Sequence, residues 1–100
     1  MNLSVHDKLL IQHFFTGLPV KKAYVFGSYS RDTAIKGISD IDILVELDHT
    51  TPIGMQFFTY QEALENLLKM KVDLVSNEGL SPHIKPYVDK EKILIYERAV

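Results

Sequence analysis

The chain has 100 residues, of which 46% are hydrophobic and 24% charged, and its formal net charge is −2. These values are typical of one folded globular domain and argue against a disordered or fibrous chain. The small net charge and the lack of a basic run give no reason to expect direct nucleic-acid binding. No cysteine, no long apolar run and no secretory signal is visible, so we expect a cytoplasmic domain over residues 1–100 with no membrane contact.

Hydrophobic periodicity, capping residues and turn residues predict helices and strands in alternation. In chain order they are a helix over 4–17, a strand over 21–26, one or two helical turns over 29–34, a strand over 40–47, a helix over 51–69, a strand over 71–76, a short helix from 81 or 82 to 90, and a strand or tail over 93–96. This order predicts an α/β (α+β) domain with a mixed β-sheet of three to four strands covered by helices.

Capping residues and an apolar face define the two longer helices. Ser4 is the expected N-cap of the first helix, in which helical spacing places four residues on one face: Leu9, Leu10, His13 and Phe14. Thr51 and Pro52 are the expected start of the second long helix.

The strand over 40–47 places two carboxylates on one face. Asp40 and Asp42 are two residues apart, so their side chains leave the same side, while the other side is aliphatic. Asp73 stands in the next strand between apolar neighbours. Aspartate is a poor strand former, its burial costs several kcal/mol, and neighbouring carboxylates repel. The three side chains are therefore unfavourable in a strand unless another group compensates their charge.

A divalent cation would compensate this charge, because Mg²⁺ and Mn²⁺ prefer oxygen ligands. Two such ions about 4 Å apart would suit phosphoryl-transfer chemistry. The alternative is structural: the aspartates cap helices, pair with basic residues or face solvent at a sheet edge. The pattern favours the metal site and leaves this alternative open.

A Gly-Ser pair and an arginine follow the first strand. Gly27 allows close approach of the backbone to a phosphate, and amides at a helix start favour anions. Ser28 can donate a further hydrogen bond, and Arg31 could bind the same anion in a bidentate manner. An ordinary surface loop with a solvated arginine remains the alternative for these residues taken alone.

The segment VFGSYSRDTAIKGISDIDILVEL, followed by VDLV in a later strand, resembles the signature of the DNA polymerase β-like nucleotidyltransferases, in particular the minimal nucleotidyltransferases of prokaryotes. The similarity covers nearly the whole chain. It rests on the combination of motifs and not on any one of them. The matching residues are Gly27, Ser28, Arg31, Ser39, Asp40, Asp42 and Asp73.

This resemblance implies roles for these residues. Gly27 and Ser28 would hold the β- and γ-phosphates of a nucleoside triphosphate, with Arg31 and Ser39 completing the nucleotide site. Asp40 and Asp42 would bind two Mg²⁺ or Mn²⁺ ions. Asp73 would share in metal binding and orient or deprotonate the attacking hydroxyl group. The expected reaction transfers AMP from ATP, the expected substrate.

The resemblance also implies a partner, since larger relatives carry a helical acceptor-binding domain that is not seen in this sequence. The leading interpretation is a protein adenylyltransferase that modifies a tyrosine of a HEPN-type toxin and acts as its antitoxin. One alternative is an antitoxin that neutralises its partner by binding alone. Another is a transferase for a small hydroxyl substrate. Binding of the acceptor across a homo-oligomer interface is also open.

Overall fold

The computed structural model describes residues 1–48 and 56–99. The helices and strands are, in chain order, α1 (Val5–Phe15), β1 (Val20–Phe26), β2 (Ile41–Leu47), α2 (Gln56–Leu68), β3 (Val72–Ser76), α3 (Lys85–Glu91) and β4 (Ile93–Glu97). A 3₁₀ turn over Gly27–Tyr29, called the Gly-Ser turn below, follows β1, and a second one over Asn77–Gly79 follows β3. Within the described ranges, no helix has the length and apolar character needed to cross a bilayer.

The four strands form one sheet in the order β3-β2-β1-β4. Strand β1 pairs antiparallel with β2 and β4, whereas β2 and β3 are parallel, which confirms the predicted mixed sheet. Because β1 runs opposite to β2 and β3, the C-terminal end of β1 lies at the same end of the sheet as the N-terminal ends of β2 and β3. The topology therefore brings the Gly-Ser turn close to the start of the aspartate strands.

The main hydrophobic core lies on one face of the sheet. Alternate residues of β2 point into it together with residues of α1 and α2: Ile41, Ile43, Val45, Ile11, Phe15, Leu64 and Leu68. Burial of each aliphatic or aromatic side chain of this size contributes roughly 1.5–3 kcal/mol. This packing holds β2 in the register that directs Asp42 to the opposite face.

The predicted face of α1 meets the core only in part, through Leu10 and Phe14. Ile11 and Phe15 are completely buried, whereas Leu9 is 58% exposed and His13 is also exposed. The helix has apolar residues on two adjacent stripes, so periodicity alone could not select between them, and packing against the sheet decides. The predicted cap is confirmed, because the Ser4 hydroxyl accepts a hydrogen bond from the Asp7 amide at 3.0 Å.

Some element boundaries also differ from the prediction. The helical turns expected over 29–34 are replaced by the Gly-Ser turn, which starts two residues earlier, and Asp32 follows with a φ of 61°. The last helix begins at Lys85 because residues 81–84 form a turn. The predicted helix start at Thr51 and Pro52 lies outside the described residues.

Helix α3 is attached to the face of the sheet that carries the aspartates. The Nζ atom of Lys92, which follows α3, lies 4.5 Å from the centre of the Tyr24 ring in β1. The Tyr24 hydroxyl donates a hydrogen bond of 2.8 Å to Glu46 of β2. Val88 of α3 is buried as well. These contacts fix the C-terminal end of α3 beside the Gly-Ser turn.

Candidate active site

Three aspartates lie near one another at the N-terminal ends of β2 and β3. Asp42 and Asp73 are directly paired in the parallel register of these strands, so their side chains lie on the same face. Asp40 comes immediately before β2. Asp42 is half-buried, but Asp40 and Asp73 are exposed. Asp40 is exposed because it precedes its strand, and Asp73 is exposed because β3 lies at the edge of the sheet, as the solvent-facing alternative allowed.

The surroundings of Asp42 disfavour the ionised form of its carboxyl group. Burial, together with the negative charges of Asp73, Asp40 and Glu91, raises the pKa of its carboxyl group to about 6, against the opposing charge of Arg31. Within residues 1–48 and 56–99, none of the three aspartates forms a hydrogen bond or ion pair through its side chain. Helix capping and pairing with a basic residue thus do not account for them in the described part of the chain.

The aspartates are oxygen ligands of the kind that a hard cation prefers, but their side chains do not converge on one point. In the described ranges, no three Asp, Glu, His or Cys side chains form a group that could hold a metal ion as they stand. Asp40 and Asp73 are exposed, and both lie near enough to Asp42 for their charges to raise its pKa. Mg²⁺ commonly takes only one or two carboxylates and completes its shell with water and phosphate oxygens. The three residues could therefore hold such an ion together with a phosphate group.

Gly27 lies directly against Asp42. Its φ is 72°, a left-handed conformation that favours glycine. A Cβ atom at this position would be 2.1 Å from the Oδ2 atom of Asp42, much closer than atoms can approach. Glycine is thus needed both for the conformation of the turn and for its proximity to the carboxylate.

A carboxylate already occupies the anion site expected at the Gly-Ser turn. The Gly27 amide donates a hydrogen bond to Oε2 of Glu91, the last residue of α3. The Nη1 atom of Arg31 donates to both oxygens of the same carboxylate, at 2.8 and 3.0 Å. Gly27 and Arg31 therefore bind one anion together, and this anion belongs to the chain itself.

Glu91 is a site residue that the sequence did not reveal. It stands in a short charged helix far along the chain from Arg31, where a glutamate has the ordinary appearance of a solvated residue. Only the packing of α3 over the sheet brings Glu91 to the turn, and no local signal reports this packing.

The two serines have different surroundings. The Ser28 hydroxyl forms no hydrogen bond within the described residues, so it is available to a ligand. The Ser39 hydroxyl accepts a hydrogen bond of 2.9 Å from the Ile35 amide and closes the loop that precedes Asp40. Ser39 therefore shapes the approach to the aspartates, while its hydroxyl proton can still be donated.

A cleft of about 420 Å³ lies beside Asp40, and neither Asp42 nor Asp73 lines it. It is lined by Asp40 and Ser39 and by three basic residues, Lys36, Lys69 and Lys71. Its volume lies within the range of small-ligand sites. The space beside Asp40 is thus large enough for part of a nucleotide or of an acceptor.

Comparison with known proteins agrees with this fold. A family model described as "Nucleotidyltransferase domain" matches residues 10–95. The protein adenylyltransferase MntA of Thermococcus cleftensis is 38% identical over 93 residues, which cover 93% of this chain and 88% of that protein. A crystal structure of a toxin–antitoxin with AMP-PNP superimposes with a TM-score of 0.77 at 25% identity, covering 91% of this chain and 73% of that one.

A second solved structure contains a tri-AMPylated Shewanella oneidensis HEPN toxin in complex with its MNT antitoxin. The likeness has a TM-score of 0.71 at 22% identity and covers 93% of this chain and 71% of that one, so it shows the fold alone. The mixed sheet and its helices define a domain of the minimal nucleotidyltransferase type. The chain belongs to the nucleotidyltransferase domain family.

Proposed function

We propose that this chain transfers AMP from ATP to a hydroxyl group of another protein, a tyrosine of a HEPN-type toxin, and thereby acts as an antitoxin. One observation carries the proposal: an anion site formed by Gly27 and Arg31 lies beside Asp42, a half-buried carboxylate that forms no hydrogen bond or ion pair within residues 1–48 and 56–99. The relative named as a protein adenylyltransferase, at 38% identity, supports the reaction type.

The Gly-Ser turn would bind the β- and γ-phosphates. The Gly27 amide and the Arg31 guanidinium already hold a carboxylate, and both can donate equally well to phosphate oxygens. The free hydroxyl of Ser28 would add a hydrogen bond. These contacts would fix the triphosphate so that its α-phosphate meets the aspartates at the neighbouring strand ends.

The aspartates would organise the transfer itself. Asp40, Asp42 and Asp73 would hold Mg²⁺ or Mn²⁺, in two sites, and these ions would polarise the α-phosphate and make the acceptor hydroxyl more acidic. Asp73 would orient that hydroxyl and accept its proton as the oxygen attacks the α-phosphorus. The bond between the α-phosphorus and the bridging oxygen breaks, and pyrophosphate leaves.

The openness of the site favours a protein acceptor. Asp40 and Asp73 are exposed, so a side chain on the surface of another folded protein can reach them without a conformational opening. In the Shewanella oneidensis complex the HEPN toxin is itself AMPylated. A HEPN toxin is accordingly the partner that we propose for this chain.

A second function, neutralisation of the partner by binding alone, is favoured by one specific feature. Glu91 fills the anion site and uses the Gly27 amide that a triphosphate would need. If Glu91 never leaves, the chain keeps the fold and cannot bind ATP productively.

Labelled ATP distinguishes these functions. We expect label from the α-phosphate of ATP to appear on a HEPN-type partner in the presence of Mg²⁺, and label from the γ-phosphate not to appear. Replacement of the acceptor tyrosine by phenylalanine should remove the signal. A stable complex without label would support binding alone, and label on a small hydroxyl compound would contradict a protein acceptor.

Ser28→Ala should weaken ATP binding about tenfold and leave partner binding unchanged, because it removes one hydrogen bond to a charged phosphate. Titration calorimetry with ATP and with the partner separates the two effects. Ser30→Ala is a useful comparison, since the Ser30 hydroxyl donates to the Gly27 carbonyl at 2.8 Å and supports the turn from within. Equal loss of ATP and partner affinity in Ser28→Ala would show that Ser28 is structural.

A further inference from the structure

We infer that Glu91 is an internal competitor for the phosphate site, and that its carboxylate must leave Gly27 and Arg31 before a triphosphate can bind. This inference rests on the proposed function, because it concerns the regulation of the same site. It gives Glu91 the role of setting the affinity and the ligand selectivity of the turn.

The competition is strict at the Gly27 amide. A backbone amide has a single N–H group, and that of Gly27 donates its hydrogen bond to Glu91. A phosphate oxygen cannot use the same proton at full strength while the carboxylate remains. Arg31 has further N–H groups, but its Nη1 atom is bound to both carboxylate oxygens of Glu91.

Charge also favours exchange over simultaneous binding. Glu91 is near enough to Asp42 to disfavour the ionised form of that carboxyl group. A triphosphate would add several negative charges to the same small region, and like charges at short range repel. The arriving phosphates and the Glu91 carboxylate therefore exclude each other.

The exchange does not require α3 to leave the sheet. Val88 is buried, and Lys92 remains over the ring of Tyr24, so the helix stays attached on both sides of Glu91. Rotation of the Glu91 side chain, which is 21% exposed, is sufficient to free the turn. A glutamate side chain has three rotatable bonds, and its carboxylate regains hydration when it swings out.

This arrangement would select against weak anions. A ligand must replace a carboxylate that makes three hydrogen bonds, so a polyphosphate has an advantage over inorganic phosphate or a nucleoside monophosphate. Product release would benefit for the same reason, because Glu91 can rebind as pyrophosphate leaves.

Glu91→Gln tests the inference directly. The substitution removes the charge and keeps the size of the side chain, so we expect ATP and inorganic tripolyphosphate to bind about tenfold more tightly, by titration calorimetry. Glu91→Ala, which removes the acceptor atoms, should also bind both ligands more tightly. Glu62→Gln, on the exposed side of α2, is the matched control and should bind as the wild type does.

Unchanged or weaker binding of tripolyphosphate by both Glu91 variants would overturn the inference and would show that Glu91 positions Arg31. Thermal unfolding of each variant verifies that the fold is retained. The transfer assay distinguishes this failure from failure of the proposed function. Tighter tripolyphosphate binding by the Glu91 variants without any AMP transfer would refute only the proposed function. AMP transfer with the same tripolyphosphate affinity in the wild type and the Glu91 variants would refute only the competition. Absence of tripolyphosphate binding in all variants would contradict both.

Discussion

Gly27→Ala is expected to abolish ATP binding and AMP transfer, with a loss of at least a hundredfold in each. The added methyl group would stand 2.1 Å from the Oδ2 atom of Asp42, so either the turn or the carboxylate must move. Moving the turn redirects the Gly27 amide away from the phosphate site, and moving Asp42 disperses the aspartates. The measurement is ATP affinity by calorimetry together with the rate of transfer from α-labelled ATP.

Gly17→Ala is the matched control for this variant. Gly17 also has a positive φ, of 88°, but nothing lies within 4 Å of an added Cβ atom. Both variants should lose about 1–2 kcal/mol of stability from backbone strain, because a left-handed conformation is unfavourable for alanine. Only Gly27→Ala should lose ATP binding. Retention of ATP affinity in Gly27→Ala would show that the turn does not bind the phosphates.

Asp42→Asn should reduce AMP transfer at least a thousandfold and leave the fold intact. A neutral amide is a weaker ligand for a divalent cation than a carboxylate. The charge stabilisation that such a cation supplies in the transition state is worth several kcal/mol. The rate of transfer to the partner is the measurement. Glu62→Gln, an acid-to-amide change at an exposed position of α2, is the control. Transfer at more than a tenth of the wild-type rate would remove Asp42 from the catalytic centre.

The same substitution should stabilise the metal-free protein at neutral pH. The Asp42 carboxyl has a pKa of about 6 in the folded chain and 3.8 in its ordinary state. Between these values the folded state binds a proton that the unfolded state has released, so stability falls as the pH rises through this window. After allowance for solvent screening, the wild type should lose on the order of 1–2 kcal/mol relative to Asp42→Asn.

Chemical denaturation at pH 4 and pH 7 with a chelator measures this effect. The difference between the wild type and Asp42→Asn should be small at pH 4 and should reach its full size above pH 6. A variant that is less stable than the wild type at pH 7 would show that Asp42 makes a favourable contact in the folded chain.

The strands and the turn could be predicted because their signals are local. Alternation along β2 placed Asp40 and Asp42 on one side, and the Gly-Ser pair ended β1 as expected. The pairing of Asp42 with Asp73 depends on the parallel register of two strands separated by a helix. Periodicity could not supply that register, so the sequence suggested a shared metal site only through the unfavourable charges of the three acids and the resemblance to a family.

What failed to follow from the sequence was long-range packing. Two adjacent apolar stripes run along α1, so the pattern could not show that Ile11 and Phe15 are the residues it buries completely. The exposure of Asp73 depends on the position of β3 at the edge of the sheet. Glu91 was missed for the same kind of reason, since its neighbours in space are remote in the chain.

The contact between Tyr24 and Glu46 has a consequence for titration experiments. Burial and the hydrogen bond to Glu46 raise the pKa of the Tyr24 phenol to about 12. This aromatic anchor beneath Lys92 therefore keeps its proton throughout the neutral range, while Asp42 changes its ionisation there. Acidification from pH 7 to pH 5 should therefore protonate Asp42 and leave the ionisation of Tyr24, whose ring contacts Lys92 next to α3, unchanged.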